Sequence, residues 1–262
     1  MEATGDPRQW AVAAMCPAVS KCVQSVSKMV EQGLELHAKG NAVELEARLG
    51  TVAAGGGFKP TIPRATWHAI RDKLSNCECW LKELPVRDVV DYYHSTAGGR
   101  TIRTRVIPAA EADEDRVSHV HKVNHHTETF VPYNQTTVAP DPHVPCVRVS
   151  LSTENEATPP PVVRATHVRI TQRVEWLYDA HKETDIWSYV LYREWSGPDK
   201  AQAEQNQLTQ APLYSCEVEL RKIGDYCGRN LRTPPHTATS LVNKAVELLD
   251  ASGSVWYEPV HR

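Results

Sequence analysis

Two short stretches near opposite ends of the chain share a pattern in which glutamates alternate with apolar residues. Residues 43–50 read V-E-L-E-A-R-L-G, and residues 214–222 read Y-S-C-E-V-E-L-R-K. A period of two residues is that of a β-strand and not of a helix. Each stretch therefore predicts a strand with two carboxylates on one face, and these carboxylates are Glu44 and Glu46, and Glu217 and Glu219.

The spacing of the carboxylates bears on what such a strand can do. Two residues along a strand are about 6.6 Å apart. At that distance two ionised glutamates repel by about 0.6 kcal/mol in water and by about 2.5 kcal/mol at an effective dielectric of about 20. On a solvated face the pair costs little, whereas in a recess it requires a cation or arginine partners and becomes a set of metal ligands. The two strands alone leave both interpretations open.

Composition limits the class of protein. The chain has 262 residues, 41% of them hydrophobic, and a net charge of −3, which is ordinary for a soluble globular protein and too acidic for one that tracks along nucleic acid. Its seven cysteines show no C-x-x-C spacing and favour a reducing compartment. No stretch resembles a signal peptide or a membrane span, so we expect an intracellular protein without a membrane partner.

The sequence pattern between the two glutamate stretches is mostly that of a β-sheet, and most of the predicted helical sequence lies towards the ends of the chain. Alternating segments predict six further strands, at residues 86–94, 100–107, 117–123, 146–154, 166–178 and 186–195. Turn-rich composition predicts loops at 53–60, 109–116, 131–145, 155–162 and 196–212. Apolar spacing predicts helices within 12–34 and 63–76, and at 239–252 with Ser240 as its cap. We expect a single domain over 1–262, with a helical cover at 1–40, strands within 43–222 and a C-terminal helix at 239–252.

The polar faces of the middle strands are rich in arginine. The arginines are Arg103, Arg105, Arg148, Arg169 and Arg173. Arginine binds phosphate and carboxylate oxygens through a planar fork, which lysine lacks. If these faces meet water, the protein is a sheet packed on helices; if the sheet closes on them, its lumen suits a metal and a polyphosphate.

Taken together, V-E-L-E-A-R-L-G, C-E-V-E-L-R-K and the arginine-rich strands between them resemble the triphosphate tunnel metalloenzymes. The closer resemblance is to the fungal and protozoal RNA triphosphatases, the metal-dependent first enzymes of mRNA capping, and the short chain is similar to the trypanosomatid form. The resemblance covers about residues 43–222. It implies an α+β, mainly β fold, in which eight antiparallel strands form a closed barrel with flanking helices.

The resemblance also implies an activity and a set of site residues. The activity is removal of the γ-phosphate from triphosphate-ended RNA by in-line attack of water, assisted by Mg²⁺ or Mn²⁺. The metal ligands would be Glu44, Glu46, Glu217 and Glu219. The phosphate-binding cations would be Arg103 or Arg105, Lys122, Arg148, Arg169 and Arg173, and Glu154 would position the water. A guanylyltransferase partner and nuclear residence, with cytoplasmic residence as the alternative, are expectations from that function alone.

The sequence departs from the family pattern at several positions. Arg221 occupies the place of a third glutamate in the last strand, and Thr171 the place of a further cation in a middle strand. The aspartate–threonine pair expected in the next strand has no clear counterpart, and the candidates to replace it are Asp185 and Ser188.

Two other functions remain open from the sequence. Glu44, Glu46 and Arg48 also resemble the Glu-x-Glu-x-basic opening of the adenylate cyclase and thiamine triphosphatase branch. The protein would then be a tunnel phosphohydrolase acting on a nucleoside triphosphate or inorganic triphosphate. The remaining alternative is a non-catalytic domain that binds a phosphate ligand.

Overall fold

A sheet of nine antiparallel strands forms the centre of the protein. The computed structural model describes residues 17–52, 57–77, 80–96, 98–109, 114–130, 145–160, 164–178, 187–229 and 233–250. Among the helices of these ranges, none is long and apolar enough to cross a membrane.

The secondary structure alternates long strands with short helices. The strands are β1 (Val43–Val52), β2 (Phe58–Lys59), β3 (Lys82–Ser95), β4 (Thr101–Ile107), β5 (Arg116–Phe130), β6 (Pro145–Glu156), β7 (His167–Tyr178), β8 (Trp187–Gly197) and β9 (Leu213–Leu220). The helices in the described ranges are α1 (Pro17–Ala38), α2 (Arg64–Ser75), α3 (Lys200–Thr209), α4 (Ile223–Arg229) and α5 (Pro234–Asp250).

Eight of the strands close into a barrel. Their order is β1-β6-β5-β4-β3-β7-β8-β9, and β9 pairs back with β1. The closing register places Glu46 opposite Glu219 and Arg48 opposite Glu217. The two glutamate stretches, far apart in sequence, are therefore neighbouring strands, and the predicted eight-stranded antiparallel closed barrel with flanking helices is confirmed.

The apolar side of β1 faces outward onto the helices. Leu45, Ala47 and Leu49 of β1 are fully buried and share one apolar cluster with residues of α1 and α5. Burying a leucine contributes about 1.5–3 kcal/mol, so this packing directs the opposite, charged side into the barrel. The carboxylates of β1 and β9 accordingly do not lie on a solvated face, since Glu46 is 4% and Glu217 5% exposed.

The loop predicted at 196–212 contains a helix. It is α3, and the side chain of Asp199 caps it by accepting a hydrogen bond of 2.9 Å from the backbone N–H of Gln202. Ala203 is the buried residue of this helix. Because α3 presents no apolar stripe, periodicity could not reveal it, although an aspartate before a run of good helix formers is an N-cap signal.

Other boundaries also differ from the prediction. α5 begins at Pro234, so Ser240 lies within the helix and does not cap it. β5 continues to Phe130 through a register shift between Asn124 and His126. β2 lies in the predicted loop 53–60, and α4 was not predicted. Residues 12–16, Asp185, half of the loop 109–116 and almost all of the loop 131–145 lie outside the described residues.

Candidate active site

The interior of the barrel holds a cavity of about 320 Å³ that is lined almost entirely by charge. Its cations are Arg48, Arg87, Arg103, Arg105, Arg116, Lys122, Arg169, Arg173 and Arg221. Its carboxylates are Glu44, Glu46, Glu154, Glu194, Glu217 and Glu219, and the remaining wall is Ile107, Tyr192 and Ser215. Such a wall suits a polyanion together with a cation, and not an apolar ligand.

Ten of the eleven site residues proposed from the sequence line this cavity. They are Glu44, Glu46, Arg103, Arg105, Lys122, Glu154, Arg169, Arg173, Glu217 and Glu219. The exception is Arg148, which lies directly across from Arg48 in the β1–β6 register. Its guanidinium carbon lies over the ring of Phe58, 4.3 Å from the centroid.

Strands β1 and β9 bring the four glutamates together, and basic side chains hold three of them. Glu44 accepts hydrogen bonds from the Lys122 ammonium and, at 3.0 Å, from Ser152 Oγ. Glu46 lies 3.8 Å from Lys122 Nζ and 3.6 Å from Arg48 Nη2. Glu217 accepts from Arg48 and from the hydroxyl of Tyr192.

The carboxylate cluster carries more negative charge than its neighbours neutralise. Burial raises the pKa of Glu44 well above its usual range, and the charge of Glu46 raises it further against the pull of Lys122. Burial and Glu217 likewise raise the pKa of Glu219 to about 7. Burial also acts to raise the pKa of Glu217, but Arg48 and the Tyr192 hydrogen bond hold it at about 2. A divalent cation would favour the ionised forms of Glu44 and Glu219.

A buried aspartate organises part of the basic wall. Asp91 is fully buried. It accepts hydrogen bonds from Arg105 Nε at 2.8 Å, from Arg105 Nη2 at 3.1 Å and from Arg169 Nη2 at 2.7 Å. Burial would raise the pKa of Asp91, but the two arginines hold it below its usual range. The pattern of β3 does not mark Asp91 as a site residue, because its neighbours Val89 and Tyr93 on the same face are uncharged.

Glu175 holds a second group of arginines near the other end of β7. Its carboxylate lies 2.9 Å from Nη2 of both Arg87 and Arg173 and 3.9 Å from Arg221. It also accepts a hydrogen bond of 2.6 Å from Ser188 Oγ. Ser188, a candidate from the sequence, therefore supports a carboxylate and does not line the cavity. Glu175 itself belonged to a predicted polar face but had no assigned role.

Comparisons with known proteins give matches in structure but none in sequence. No family model matches the sequence, and no curated protein matches it. Among solved structures, S. pombe Pct1 RNA triphosphatase matches with a TM-score of 0.57 and 14% identity, covering 87% of this chain and 89% of that chain. The Mimivirus capping enzyme triphosphatase matches with a TM-score of 0.52 and 10% identity, covering 88% and 98%. The chain has the triphosphate tunnel fold.

Guanidinium groups in and beside the cavity hold hydrogen-bond donors without acceptors. In the described part of the chain, no acceptor meets the buried Nε atoms of Arg48, Arg87, Arg103, Arg148, Arg169 and Arg173. Buried polar groups are almost always hydrogen-bonded, and guanidinium groups that the protein leaves partly unsatisfied suit a ligand with many acceptor oxygens. A polyphosphate provides such oxygens, and its charge matches the arginines.

The tunnel carboxylates fit a hard divalent cation in their chemistry. Their donors are all oxygens, which Mg²⁺ and Mn²⁺ prefer, whereas zinc sites use cysteine and histidine. Within the described ranges, no three acidic, histidine or cysteine side chains form a group arranged to hold a metal. Lys122 and Arg48 engage the carboxylate oxygens instead. A divalent cation would therefore compete with these two side chains for Glu44, Glu46 and Glu217.

Proposed function

We propose that the protein is an RNA 5′-triphosphatase. It removes the γ-phosphate of triphosphate-ended RNA in mRNA cap formation, by metal-assisted in-line attack of water. The observation that carries the proposal is a closed tunnel in which a glutamate cluster meets arginines whose buried Nε atoms have no acceptor among the described residues. Two proteins that share the fold, from S. pombe and Mimivirus, are RNA triphosphatases.

In this proposal the arginines bind and orient the triphosphate. Asp91 and Glu175 keep Arg105, Arg169 and Arg173 in place before substrate arrives. Preorganised donors stabilise the charge of a phosphoryl transfer without reorganising during the reaction. A metal held by Glu44, Glu46, Glu217 and Glu219 would supply further neutralisation of that charge.

Glu154 is the residue we assign to the attacking water. Its carboxylate lies 2.9 Å from Arg103 Nη2 and 3.5 Å from Lys122 Nζ. Burial would raise the pKa of Glu154, but Arg103 and Lys122 lower it. An ionised carboxylate fixed in this way accepts a hydrogen bond from water and orients it towards the phosphorus.

The biological setting is part of the same proposal. We propose a guanylyltransferase partner, nuclear residence with cytoplasmic residence as the alternative, and similarity to the trypanosomatid form. One of the S. pombe structures contains Pct1 in complex with the Spt5 CTD, at a TM-score of 0.56 and 15% identity to this chain.

The test is release of the γ-phosphate from triphosphate-ended RNA with Mg²⁺, with Mn²⁺ and with a chelator. We expect metal-dependent release, and we expect Glu46→Gln to reduce it by at least about 100-fold, because even groups around metal ligands affect activity by about 10–100-fold. Glu31→Gln is the matched control, since Glu31 is exposed on α1. Unchanged release in Glu46→Gln would contradict the assigned metal site.

The rates at which the protein hydrolyses different substrates distinguish the proposed function from its alternatives. Preferred hydrolysis of RNA over free nucleoside triphosphate and inorganic tripolyphosphate supports the proposal. Preference for either small substrate would instead assign the protein to another group of tunnel phosphohydrolases. Binding of phosphate ligands with no metal-dependent release would make it a non-catalytic phosphate-binding domain.

A further inference from the structure

Arg148 differs from the other arginines proposed to bind phosphate. It does not line the cavity, although its buried Nε, like those of Arg103, Arg169 and Arg173, has no acceptor among the described residues. Burial and the charge of the neighbouring Arg48 lower the pKa of Arg148. The end of the tunnel at Arg48 and Arg148 therefore contains positive charge that a phosphate group would stabilise.

Phe58 gives this guanidinium a flat aromatic support. Phe58 belongs to β2, which pairs with the end of β1 through Val52 and Thr51, and its side chain is half-buried. Arg148 lies 4.3 Å above the centroid of the Phe58 ring. A planar cation on an aromatic ring is a surface on which a nucleobase can stack.

Gly50 permits this arrangement. A Cβ atom at Gly50 would lie 2.2 Å from the carbonyl oxygen of Lys59 and 2.6 Å from the ring of Phe58. No side chain fits at that distance, so β2 can approach β1 only because residue 50 is glycine. The contact between Phe58 and Arg148 therefore depends on the close approach of β2 to β1 at Gly50.

Arg148 lies at the level of Glu217, because both residues pair with Arg48 of β1. Phe58 lies beyond the carboxylate cluster, because β2 pairs with residues 51 and 52. Arg48 follows Glu46 by two residues, about 6.6 Å along a strand, and Arg148 faces Arg48 across the β1–β6 register. A triphosphate that meets the carboxylates with its γ-phosphate would therefore extend towards Phe58 with its other end.

The opposite end of the tunnel is less suitable for a nucleic acid chain. Arg116 begins β5 there and pairs with Ile107 at the end of β4. The two residues before it, Glu114 and Asp115, are acidic and exposed. These carboxylates repel a phosphate backbone and favour the end that bears Arg148 and Phe58.

We propose that Arg148 and Phe58 form a stacking platform for the first nucleoside of the substrate, so that the nucleoside end of the triphosphate lies towards β2. The inference rests on the proposed function, since it identifies which end of the triphosphate the tunnel recognises. The ligand is a nucleoside 5′-triphosphate end, whether free or at the start of an RNA. Phe58 is a specificity-determining residue in this proposal, because inorganic tripolyphosphate has no base to stack.

The test compares ATP, triphosphate-ended RNA and inorganic tripolyphosphate in the wild type, Phe58→Leu and Phe58→Tyr. Phe58→Leu keeps apolar volume but loses the ring, so KM for ATP and RNA should rise by about 10-fold, within the range for one lost base stack. KM for tripolyphosphate and kcat should stay unchanged. Phe58→Tyr keeps the ring and should match the wild type. An equal loss for all three substrates in Phe58→Leu would overturn the platform.

Equilibrium binding in the presence of a chelator separates this inference from the proposed function. If the wild type releases no phosphate, but Phe58→Leu binds ATP more weakly and tripolyphosphate equally well, the platform is supported and the enzymatic proposal fails. If the wild type hydrolyses RNA and Phe58→Leu treats ATP and tripolyphosphate as the wild type does, the platform is overturned and the enzymatic proposal stands.

Discussion

Asp91 illustrates how one buried side chain sets the geometry of a charged wall. Removing a charge from water costs several kcal/mol, which good geometry and several hydrogen bonds offset. Asp91 meets both conditions, because one oxygen accepts from Arg105 and the other accepts from Arg105 and Arg169. The two arginines are thereby fixed before any phosphate enters.

Replacing Asp91 by asparagine should therefore destabilise the fold. Arg105 and Arg169 would remain largely buried without their shared carboxylate, and breaking such a pair costs about 3–5 kcal/mol. Urea unfolding measures the change. Asp88→Asn is the matched control, because Asp88 lies on the same strand and is exposed, and it should unfold like the wild type. Equal stability of the Asp91 and Asp88 variants would contradict this role.

The same aspartate predicts a dependence on pH. The folded pKa of Asp91 is lowered, so its ionisation stabilises the fold above the ordinary aspartate pKa of about 3.9. That contribution is lost as pH falls through the lower pKa of the folded protein. The difference in unfolding free energy between wild type and Asp91→Asn should therefore begin to shrink as pH falls below about 5 and should continue to shrink below about pH 3. A difference that stays constant over this range would show that the charge of Asp91 is not responsible.

Short elements shape the ends of the tunnel although they contribute little core. β2 has two residues and α3 buries Ala203, yet β2 holds Phe58 against Arg148 and α3 covers β7 and β8. Neither element has an apolar period of its own. Their positions follow from contacts with the barrel, and local sequence describes them poorly.

Gly50→Ala should displace β2. The added Cβ would overlap the Lys59 carbonyl and the Phe58 ring, and forcing an extra methyl into a packed site costs about 1–3 kcal/mol. We expect a lower unfolding temperature and, under the platform proposal, a higher KM for ATP with tripolyphosphate unchanged. Gly57→Ala is the matched control, since a Cβ there meets nothing within 4 Å. A Gly50→Ala protein with wild-type stability would contradict the described approach of β2 to β1.

The barrel concentrates charges of both signs around one cavity. Nine cations and six carboxylates line one cavity, and their mutual attraction offsets only part of the cost of removing them from water. A polyanion in this cavity would balance the excess of cations over carboxylates. Stability of the protein and ligand occupancy should therefore be linked.

Tripolyphosphate should raise the unfolding temperature of the protein. A ligand at about 100 times its Kd adds about 2.7 kcal/mol, which corresponds to about 5–10 °C for a chain of this size. Differential scanning fluorimetry with and without tripolyphosphate measures the shift. Inorganic phosphate at equal ionic strength is the control and should shift the temperature much less, since it spans fewer arginines. An equal shift with both anions would argue against a site for a polyphosphate.

Much of the site could be predicted from the sequence because its charges repeat with the strand period. Glu44 and Glu46 on one strand, and Glu217 and Glu219 on another, identify the carboxylate strands without knowledge of their neighbours. Ten of the eleven predicted residues line the cavity. Asp91 and Glu175 were not assigned roles, because the role of each depends on hydrogen bonds from arginines of other strands.

The alternation of charged and apolar residues was enough to specify mainly antiparallel strands with one ionic and one apolar side, since that pattern acts within each strand. The same alternation did not determine whether the sheet closes into a barrel. Whether the ionic side met water or a lumen depended on β9 pairing with β1 and on helices covering the apolar side. The place of Arg148 on Phe58, outside the cavity, likewise depended on β2 approaching Gly50. These contacts join residues far apart in the chain, and local periodicity carries no information about such partners.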